Sequence, residues 1–330
     1  IIVGKEKELT VVDSADRTVT VKKPIVRIVV LHVNPGGIIQ VLNARDKVVG
    51  VGTSITQRKV NYPELSKLPS VGTEDYEAIL NLNPDLVLAF LMDRPSVPCM
   101  EHLPDSIPVV GLNVNRVKTM SEEFKKMGYI LDKKDEAKEF INLYKGYIDE
   151  MNERTEEFSE DEKPRVFFSF GSRWFYSTDT TSLGGDIAGG KNIAVDLPGG
   201  RFPQVDPEWV IEQNPDIIIV GGWGTPGGYN TDDPSGMKDL RESVINRPEL
   251  ANVNAVKNGR VYAIHFDTLT GPDGLMGMIY YAKWFYPDIF KDWDPQAIHQ
   301  EFLDRFKRID FNAYEHGVFV YHPEEHPDGK

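Results

Sequence analysis

Cysteine is almost absent from this chain: of its 330 residues, only Cys99 is one. A single cysteine excludes an intrachain disulfide and any iron-sulfur or metal site that needs two or more cysteine ligands. A lone cysteine is more often a small apolar core residue than a nucleophile, so we expect Cys99 to be buried. The sequence therefore gives no sign of cysteine chemistry.

The chain also lacks an excess of basic residues and lacks long apolar runs. Its 37 Lys and Arg face 51 Asp and Glu, and the net charge of -14 argues against nucleic acid or an anionic membrane surface as the main partner. No apolar run reaches the roughly 18 residues of a membrane span. The start at Ile1 shows neither an initiator Met nor a signal-peptide pattern, so we expect the soluble part of something longer.

Complete catalytic motifs are missing as well. The string GDIAGGK at 185–191 satisfies the glycine and lysine spacing of a phosphate-binding loop, but Asn192 stands where Ser or Thr would hold Mg²⁺. No nucleophile elbow or zinc-protease motif occurs. The enzyme alternative, a hydrolase or a metal-cluster enzyme on a similar fold, has only Ser172 or Ser177 with His265 as a nucleophile and base. Turnover of a bound molecule would favour this alternative.

What the chain does contain is a duplicated segment. EAILNLNPDLVLAF begins at Glu77, and EWVIEQNPDIIIVGG begins 131 positions later at Glu208. In each copy we predict a short helix that ends at Asn-Pro-Asp, because Pro disfavours the helical conformation of the residue before it. The wholly apolar run that follows predicts a buried strand. Strands that are apolar on both faces belong to parallel sheets covered by helices, so we predict two α/β lobes.

The rest of the chain supports this organisation. Alternating residues around Asp13–Asp16 predict a β-hairpin, and apolar runs then alternate with helical segments in both halves. Between Lys134 and Glu157 apolar residues recur at helical spacing, which predicts one amphipathic helix of about 24 residues and about 36 Å. We predict a first α/β lobe at 1–133, a bridging helix at 134–158, a second α/β lobe at 159–314 and a frayed tail at 315–330.

This arrangement resembles the ABC-transporter substrate-binding proteins for iron-siderophore, haem and cobalamin. The resemblance rests on RTVTVKKPIVRIVVL, ARDKVVGVGT, LPSVGTEDYEAILNLNPDLVLA, FPQVDPEWVIEQNPDIIIV and NGRVYAI, and it extends over roughly Val11 to Phe306. It implies two Rossmann-like lobes, joined by one long rigid helix, with the ligand between them. It also implies a monomeric, non-catalytic protein, periplasmic or extracellular, which a preceding segment could anchor to the membrane.

In that family a surface Glu from each lobe docks on Arg residues of the membrane permease, which works with an ATPase. Glu77 and Glu208 are at the matching positions, so the resemblance implies that they dock this chain. A simpler alternative is that a carboxylate near a helix N-terminus is stabilised by the helix dipole by roughly 0.3 to 1 kcal/mol without any partner. Transport by variants of both residues separates the two.

Ligand contacts are expected in loops at the carboxyl ends of the strands. These loops contain arginine and aromatic residues. Guanidinium groups bind oxygen anions, and aromatic rings cover delocalised ligand surface, so the loops favour an anionic metal chelate. An Fe(III)-siderophore is the leading ligand, ahead of haem and of a corrinoid such as cobalamin. We expect no catalytic cofactor. The candidates are His32, Arg58, Arg94, Arg116, Arg173, Trp174, Trp223, Tyr229, His265 and Phe266.

Histidine leaves further alternatives open. His32 and His265 each end a predicted strand and are candidate ligands for a haem iron, a cobalt centre or a bare ion, or they are simply hydrogen-bonded. A receptor for bare Zn²⁺ or Mn²⁺ would need several His and carboxylates, and only His102 can be added to these two. The sequence therefore favours a chelated metal.

Overall fold

The structure is a computed structural model, and it describes residues 2–5, 7–91, 98–170, 184–198, 203–222 and 224–330. The chain divides into two compact units, Ile1–Lys145 with Phe302–Asp310, and Gly146–Glu301 with Phe311–Lys330. Among the helices of the described ranges, none combines the length and the apolar character that a bilayer crossing requires.

The first unit contains a small antiparallel sheet and a larger parallel one. The small sheet consists of β1 (Ile2–Lys5), β2 (Glu8–Val12) and β3 (Thr18–Lys22), in that order. The larger sheet consists of β4 (Ile28–Val30), β5 (Val48–Gly52), β6 (Ser70–Val71), β7 (Leu86–Phe90) and β8 (Val109–Leu112). Its strands have the order β6-β5-β4-β7-β8, and every neighbouring pair is parallel. The helices of this unit are α1 (Val33–Val41), α2 (Thr53–Thr56), α3 (Tyr76–Asn81), α4 (Cys99–His102), α5 (Val117–Leu131) and the first part of α6 (Lys134–Thr155).

The core of this unit lies against the parallel sheet. Val29 and Val87, on neighbouring strands, are fully buried, and Ile79 of α3 packs in the same cluster. Cys99 is buried there too, and burial raises the pKa of its thiol to about 11. Cys99 is therefore an unreactive core residue at neutral pH, as its isolation in the sequence suggested.

The second unit repeats the parallel arrangement. Its described strands are β9 (Arg165–Phe170), β10 (Lys191–Asn192), β11 (Ile217–Gly222), β12 (Val261–His265) and β13 (Val320–Tyr321). They form a sheet with the order β10-β9-β11-β12-β13, in which β12 and β13 are the one antiparallel pair among the described strands. The described helices of this unit are the rest of α6, α7 (Pro207–Gln213), α8 (Ser235–Ile245), α9 (Asn254–Lys257), α10 (Gly274–Phe285) and most of α11 (Pro295–Phe302).

The predicted long helix is present as α6, and the boundary between the units falls within it, at Lys145 and Gly146. One segment differs from the predicted lobe boundaries: Phe302–Asp310, placed by the sequence in the second lobe, belongs to the first unit. The ring of Phe306 contacts that of Phe140 at 5.8 Å. Arg308 donates to the carbonyl of Val41 at the end of α1, at 3.3 Å. These contacts hold the segment on the first unit.

The prediction of a frayed tail is wrong. Val318, Phe319 and Val320 are almost completely buried, and β13 pairs with β12 through Val320 and Ile264. The charged end of the chain obscured a short apolar run at 318–321, which contains β13. The final residue is attached as well, since the Lys330 ammonium donates to the carbonyls of Tyr314 (3.1 Å) and Glu315 (2.6 Å).

Candidate functional site

In both units the duplicated segment takes part in the same set of hydrogen bonds, which we call the clamp. An aspartate accepts from backbone amides before a strand, and an arginine before that strand donates to carbonyls at a helix end. In the first unit, the Asp85 carboxylate accepts hydrogen bonds from the amides of Val26 (3.0 Å) and Arg27 (2.9 Å), at the start of the neighbouring strand. The guanidinium of Arg27 donates to the carbonyls of Leu82 (2.7 Å) and Asn83 (3.0 Å), at the end of α3. The aspartate thus accepts hydrogen bonds from the backbone amides before β4, and the arginine donates to carbonyls at the helix end that have no partner within the helix.

In the second unit, Asp216 accepts from the amide of Arg165 at 3.0 Å, and the guanidinium of Arg165 donates to the carbonyl of Gln213 at 2.9 Å. Asn83 and Asn214 have left-handed backbones, with φ of 46° and 45°. Asparagine tolerates this conformation better than most residues, and the following proline disfavours the helical alternative. The clamp explains why Asn-Pro-Asp occurs twice.

This clamp fixes the two short helices that carry the predicted docking residues. Glu77 lies in the first turn of α3 and Glu208 in the first turn of α7, and both side chains are exposed. Asp75 caps α3 by accepting from the amide of Ala78 at 3.1 Å. The two carboxylates therefore occupy matching surface positions, each within its own unit.

At the carboxyl end of β4, His32 is held in a defined orientation. It precedes α1, and its Nδ1 accepts from the amide of Asn34 at 3.3 Å. Its ring stacks on Phe90, with centroids 4.8 Å apart. Burial and the nearby Arg58 guanidinium lower the pKa of His32 to about 4, so the ring is neutral at physiological pH.

The hydrogen bond to His32 decides what the ring can offer. Because Nδ1 accepts, the proton of the neutral ring resides on Nε2. To coordinate a metal through Nε2, the proton would have to move to Nδ1, where it would face the Asn34 amide. In this arrangement Nε2 of His32 is a hydrogen-bond donor, and coordination of a metal ion through Nε2 would break the hydrogen bond between Nδ1 and the Asn34 amide.

Arg58 and Arg116 are the other predicted ligand residues described in the first unit. Arg58 is half-buried, and its Nη1 donates to the carbonyl of Ser54 at 3.0 Å. Arg116 is exposed immediately before α5. Both follow strands of the parallel sheet, β5 and β8, as predicted. Arg58 is close enough to His32 to affect its pKa, which places these two residues at one edge of the sheet.

Three asparagines in the same strand-end loops, which are not among the candidate ligand residues, support this edge. The side chain of Asn34 donates to that of Asn115 at 2.8 Å, in a buried contact. The Asn113 side-chain oxygen accepts from the amide of Asn115 at 3.4 Å. The signal available in the sequence was polar residues directly after the apolar strands β4 and β8. These amides brace the loops that carry His32 and Arg116.

In the second unit, His265 has a similar local geometry at the end of β12. Its Nδ1 accepts from the amide of Asp267 at 3.2 Å, and the Asp267 carboxylate lies 3.4 Å from the same nitrogen. Phe266, which lies between these two residues in the sequence, is half-buried. Gly228 packs on this pair: its φ is 65°, and a β-carbon there would lie 2.1 Å from the Asp267 carboxylate. Only glycine allows this close approach.

Tyr229, a predicted ligand residue, is buried, with 4% of its surface exposed. The hydroxyl donates to Asp273 at 3.1 Å and lies 3.0 Å from Nε2 of His299. Its ring contacts Phe311 and Phe319 edge to face, with centroids about 5 Å apart. The glycine before Tyr229 turns the chain so that this side chain enters the core.

Several predicted site residues lie outside the described residues, and so do the two serines of the hydrolase alternative. They are Arg94, Arg173, Trp174, Trp223, Ser172 and Ser177. Within the described part of the chain, no group of three or more His, Cys, Asp or Glu could hold a metal ion. His102, a candidate for a bare-metal site, stacks on Tyr76 with centroids 4.6 Å apart, and its Nδ1 lies 2.9 Å from the Pro98 carbonyl.

The glycine-rich string at 185–191 is packed against aromatic residues. The Tyr286 hydroxyl donates to the Gly189 carbonyl at 2.9 Å, in a buried contact. A β-carbon at Gly189 would lie 2.8 Å from the Tyr286 ring, and one at Gly190 would lie 2.5 Å from Phe285. These glycines allow close packing, which accounts for them without a phosphate.

Comparison with known proteins adds a family match. The model of a family described as periplasmic binding protein matches residues 28–268. The chain is 29% identical over 296 residues to YvrC of Bacillus subtilis, an uncharacterized ABC transporter substrate-binding lipoprotein, covering 86% of this chain and 87% of YvrC. It is 25% identical over 336 residues to the molybdate-binding protein MolA of Haemophilus influenzae, covering 91% of each.

A solved structure is similar over nearly the whole chain. The TroA-like periplasmic binding protein FepB from Veillonella parvula superposes with a TM-score of 0.78 at 25% identity, covering 95% of this chain and 99% of that one. The predicted α/β class and the predicted family resemblance are confirmed. The matched family and proteins bind substrates for transport, and the prediction that this chain is not an enzyme is confirmed on that ground.

Proposed function

The chain belongs to the periplasmic binding protein family, and from this premise we propose that it is the solute-binding component of an ABC importer. It captures an anionic metal chelate and delivers it, unchanged, to a membrane permease with its ATPase. The observation that carries the proposal is the family match, which extends from β4 in the first unit to the loop after β12 in the second.

We propose an Fe(III)-siderophore as the leading ligand. The support is the donor chemistry of the described strand ends: the neutral His32 ring presents an Nε2 proton, and the guanidinium of Arg58 is close by. Both groups suit the oxygen atoms of an anionic chelate better than a bare cation. Cobalamin, haem and molybdate, the last named for the relative MolA, are the competing ligands.

The remaining ligand contacts are proposed from their positions after strands. In the described structure these are Arg116, His265 and Phe266, beside His32 and Arg58. Arg94, Arg173, Trp174 and Trp223 remain candidates on the basis of sequence alone. Rigid, braced loops reduce the entropy lost on binding, so high affinity does not require a large rearrangement.

We propose that Glu77 and Glu208 contact basic residues of the permease. The support is their equivalent positions, each exposed in the first turn of a clamped helix. A periplasmic or extracellular location follows from this function, with a preceding lipid-anchored segment as one form of attachment, as the lipoprotein relative illustrates.

Native mass spectrometry with a panel of ligands tests the proposal. The protein is mixed in turn with ferric hydroxamate and ferric catecholate siderophores, haemin, cyanocobalamin and molybdate. We expect one ferric siderophore to be retained at one molecule per chain with unchanged mass. Retention of none of these ligands, or conversion of the bound one, would contradict the proposal, and retention of another member of the panel would change the ligand but not the function.

A further inference from the structure

The two helices that carry Glu77 and Glu208 share a second surface feature. One turn after each glutamate lies a large apolar residue, Leu80 in α3 and Ile211 in α7, and each side chain is 39% exposed. Residues three apart on a helix lie on the same face, so each apolar side chain is next to the glutamate of its own helix. The same pair therefore occurs once in each unit.

The match goes beyond these two positions. From 75 to 85 and from 206 to 216, equivalent residues are buried, half-buried or exposed in the same order. Ile79 and Val210 face the cores, while the residues that follow them face solvent. Fold requirements explain the buried positions of the repeat. They do not explain why a large apolar side chain is exposed in both copies.

A single exposed apolar residue needs no explanation, because protein surfaces contain many. Six large apolar residues are exposed in the described part of the chain, and the other four are Val26, Val60, Val195 and Tyr314. Leu80 and Ile211 differ from these in being equivalent to each other and adjacent to a carboxylate. An apolar residue next to a charge is the usual composition of a protein contact, with a non-polar centre and a polar rim.

We propose that Leu80 and Ile211 are the apolar part of the permease contact in their respective units. Each inserts into a non-polar hollow beside the basic residue that receives Glu77 or Glu208. The proposal rests on the proposed function, and it specifies the partner surface: two similar sites, each with a positive charge next to an apolar depression. Charge complementarity supports a basic partner surface, since each helix presents an exposed carboxylate next to the apolar residue and the chain as a whole has a net charge of -14.

The glutamate and the apolar residue have separable contributions. An exposed ion pair is weakened by salt, whereas apolar burial is not. Loss of the apolar side chain should therefore reduce affinity to a similar extent at low and high salt. Loss of the carboxylate should reduce affinity mainly at low salt and flatten the salt dependence.

The test uses the permease–ATPase complex whose ATPase activity the unaltered, ligand-loaded protein stimulates, reconstituted in nanodiscs. The measured quantity is the protein concentration that gives half-maximal stimulation, at about 50 and about 300 mM salt. Leu80→Ser and Ile211→Ser should each raise it about fivefold to tenfold at both salt concentrations, within the usual range for a central interface side chain. Leu80→Ile and Ile211→Leu should restore it.

The matched controls are Val60→Ser and Val195→Ser, because these residues are also exposed and apolar, at 38% and 56%, but lie outside α3 and α7. They should leave the concentration unchanged. If Leu80→Ser and Ile211→Ser behave like these controls, the inference is overturned and the proposed function survives. The inference is also overturned if the unaltered protein self-associates in analytical ultracentrifugation and these two variants lose that self-association without any change in the stimulation of the ATPase. If the unaltered protein stimulates no transporter, the proposed function itself fails.

Discussion

His32 connects local folding with the proposed ligand site. Its Nδ1 caps α1, and burial with the neighbouring Arg58 lowers its pKa from 6.5 to about 4. Between these pH values the unfolded chain binds more protons at this residue than the folded protein does. The stability linked to His32 is therefore complete above about pH 6.5 and is lost as the pH falls towards 4.

A His32→Asn variant tests this linkage. Asparagine can still accept the helix-capping hydrogen bond but does not titrate. We expect the urea midpoint of the unaltered protein to fall more steeply between about pH 7 and pH 4.5 than that of the variant. His102→Asn, at an exposed position, should retain the steeper fall. Equal slopes for the unaltered protein and His32→Asn would show that His32 is not held neutral.

Single residues also mark what the sequence could not reveal. Tyr229 follows two glycines and was predicted to contact the ligand, but the left-handed backbone of Gly228 directs the chain so that the tyrosine bonds with Asp273. Arg27 and Arg165 are equally inconspicuous. Each precedes a strand, and their function depends on a helix end about 50 residues away in sequence. Long-range contacts of this kind leave no periodic signal.

At the scale of elements, the clamp accounts for the positions of α3 and α7. Asp85→Ala would leave the amides of Val26 and Arg27 without their acceptor. We expect the unfolding free energy to decrease by about 1 to 3 kcal/mol, measured by urea denaturation. Asp216→Ala should act in the same direction. Asp105→Ala, at an exposed position, should change it by less than about 0.5 kcal/mol.

If Asp85→Ala behaves like Asp105→Ala, the aspartates do not clamp the strands. A local role in α3 would then have to explain the repeat. The clamp was partly accessible from sequence, because Asn-Pro-Asp recurs with its flanking apolar strand. The arginine half of it was not accessible.

The last strand, β13, is one of the short elements that the sequence pattern did not predict. Its apolar run at 318–321 is short and is followed by the polar and charged residues HPEEHPDGK. Strands and helices with longer patterns, such as β11 and α6, were predicted within a few residues of their observed bounds. The short run gains its stability from pairing with β12, which no local pattern encodes.

Removal of residues 318–330 should therefore destabilise the second unit. Burial of one Val or Phe contributes roughly 1.5 to 3 kcal/mol, and Val318, Phe319 and Val320 are all buried, so we expect a loss of several kcal/mol. Thermal unfolding followed by circular dichroism measures it. A truncated protein with the original midpoint would contradict the observed packing and favour a frayed end.

At the scale of the whole molecule, two α/β units carry the same clamp, the same surface glutamate and the same exposed apolar neighbour. The folding of one unit does not require that the other unit carry the same glutamate and the same exposed apolar residue. The duplication is explained if a partner presents two similar surfaces. The duplication of the glutamate is visible in the sequence. The duplication of the exposed apolar residue is evident only when burial in the two copies is compared.

ATP-dependent uptake of the retained ligand into proteoliposomes that contain the partner transporter is the most direct test of the account. With the unaltered protein we expect uptake of unmodified ligand. With Glu77→Ala and Glu208→Ala combined, we expect uptake to be abolished while the ligand affinity of the isolated protein stays the same. Uptake that does not require the protein, or a double variant that loses ligand affinity, would contradict the account.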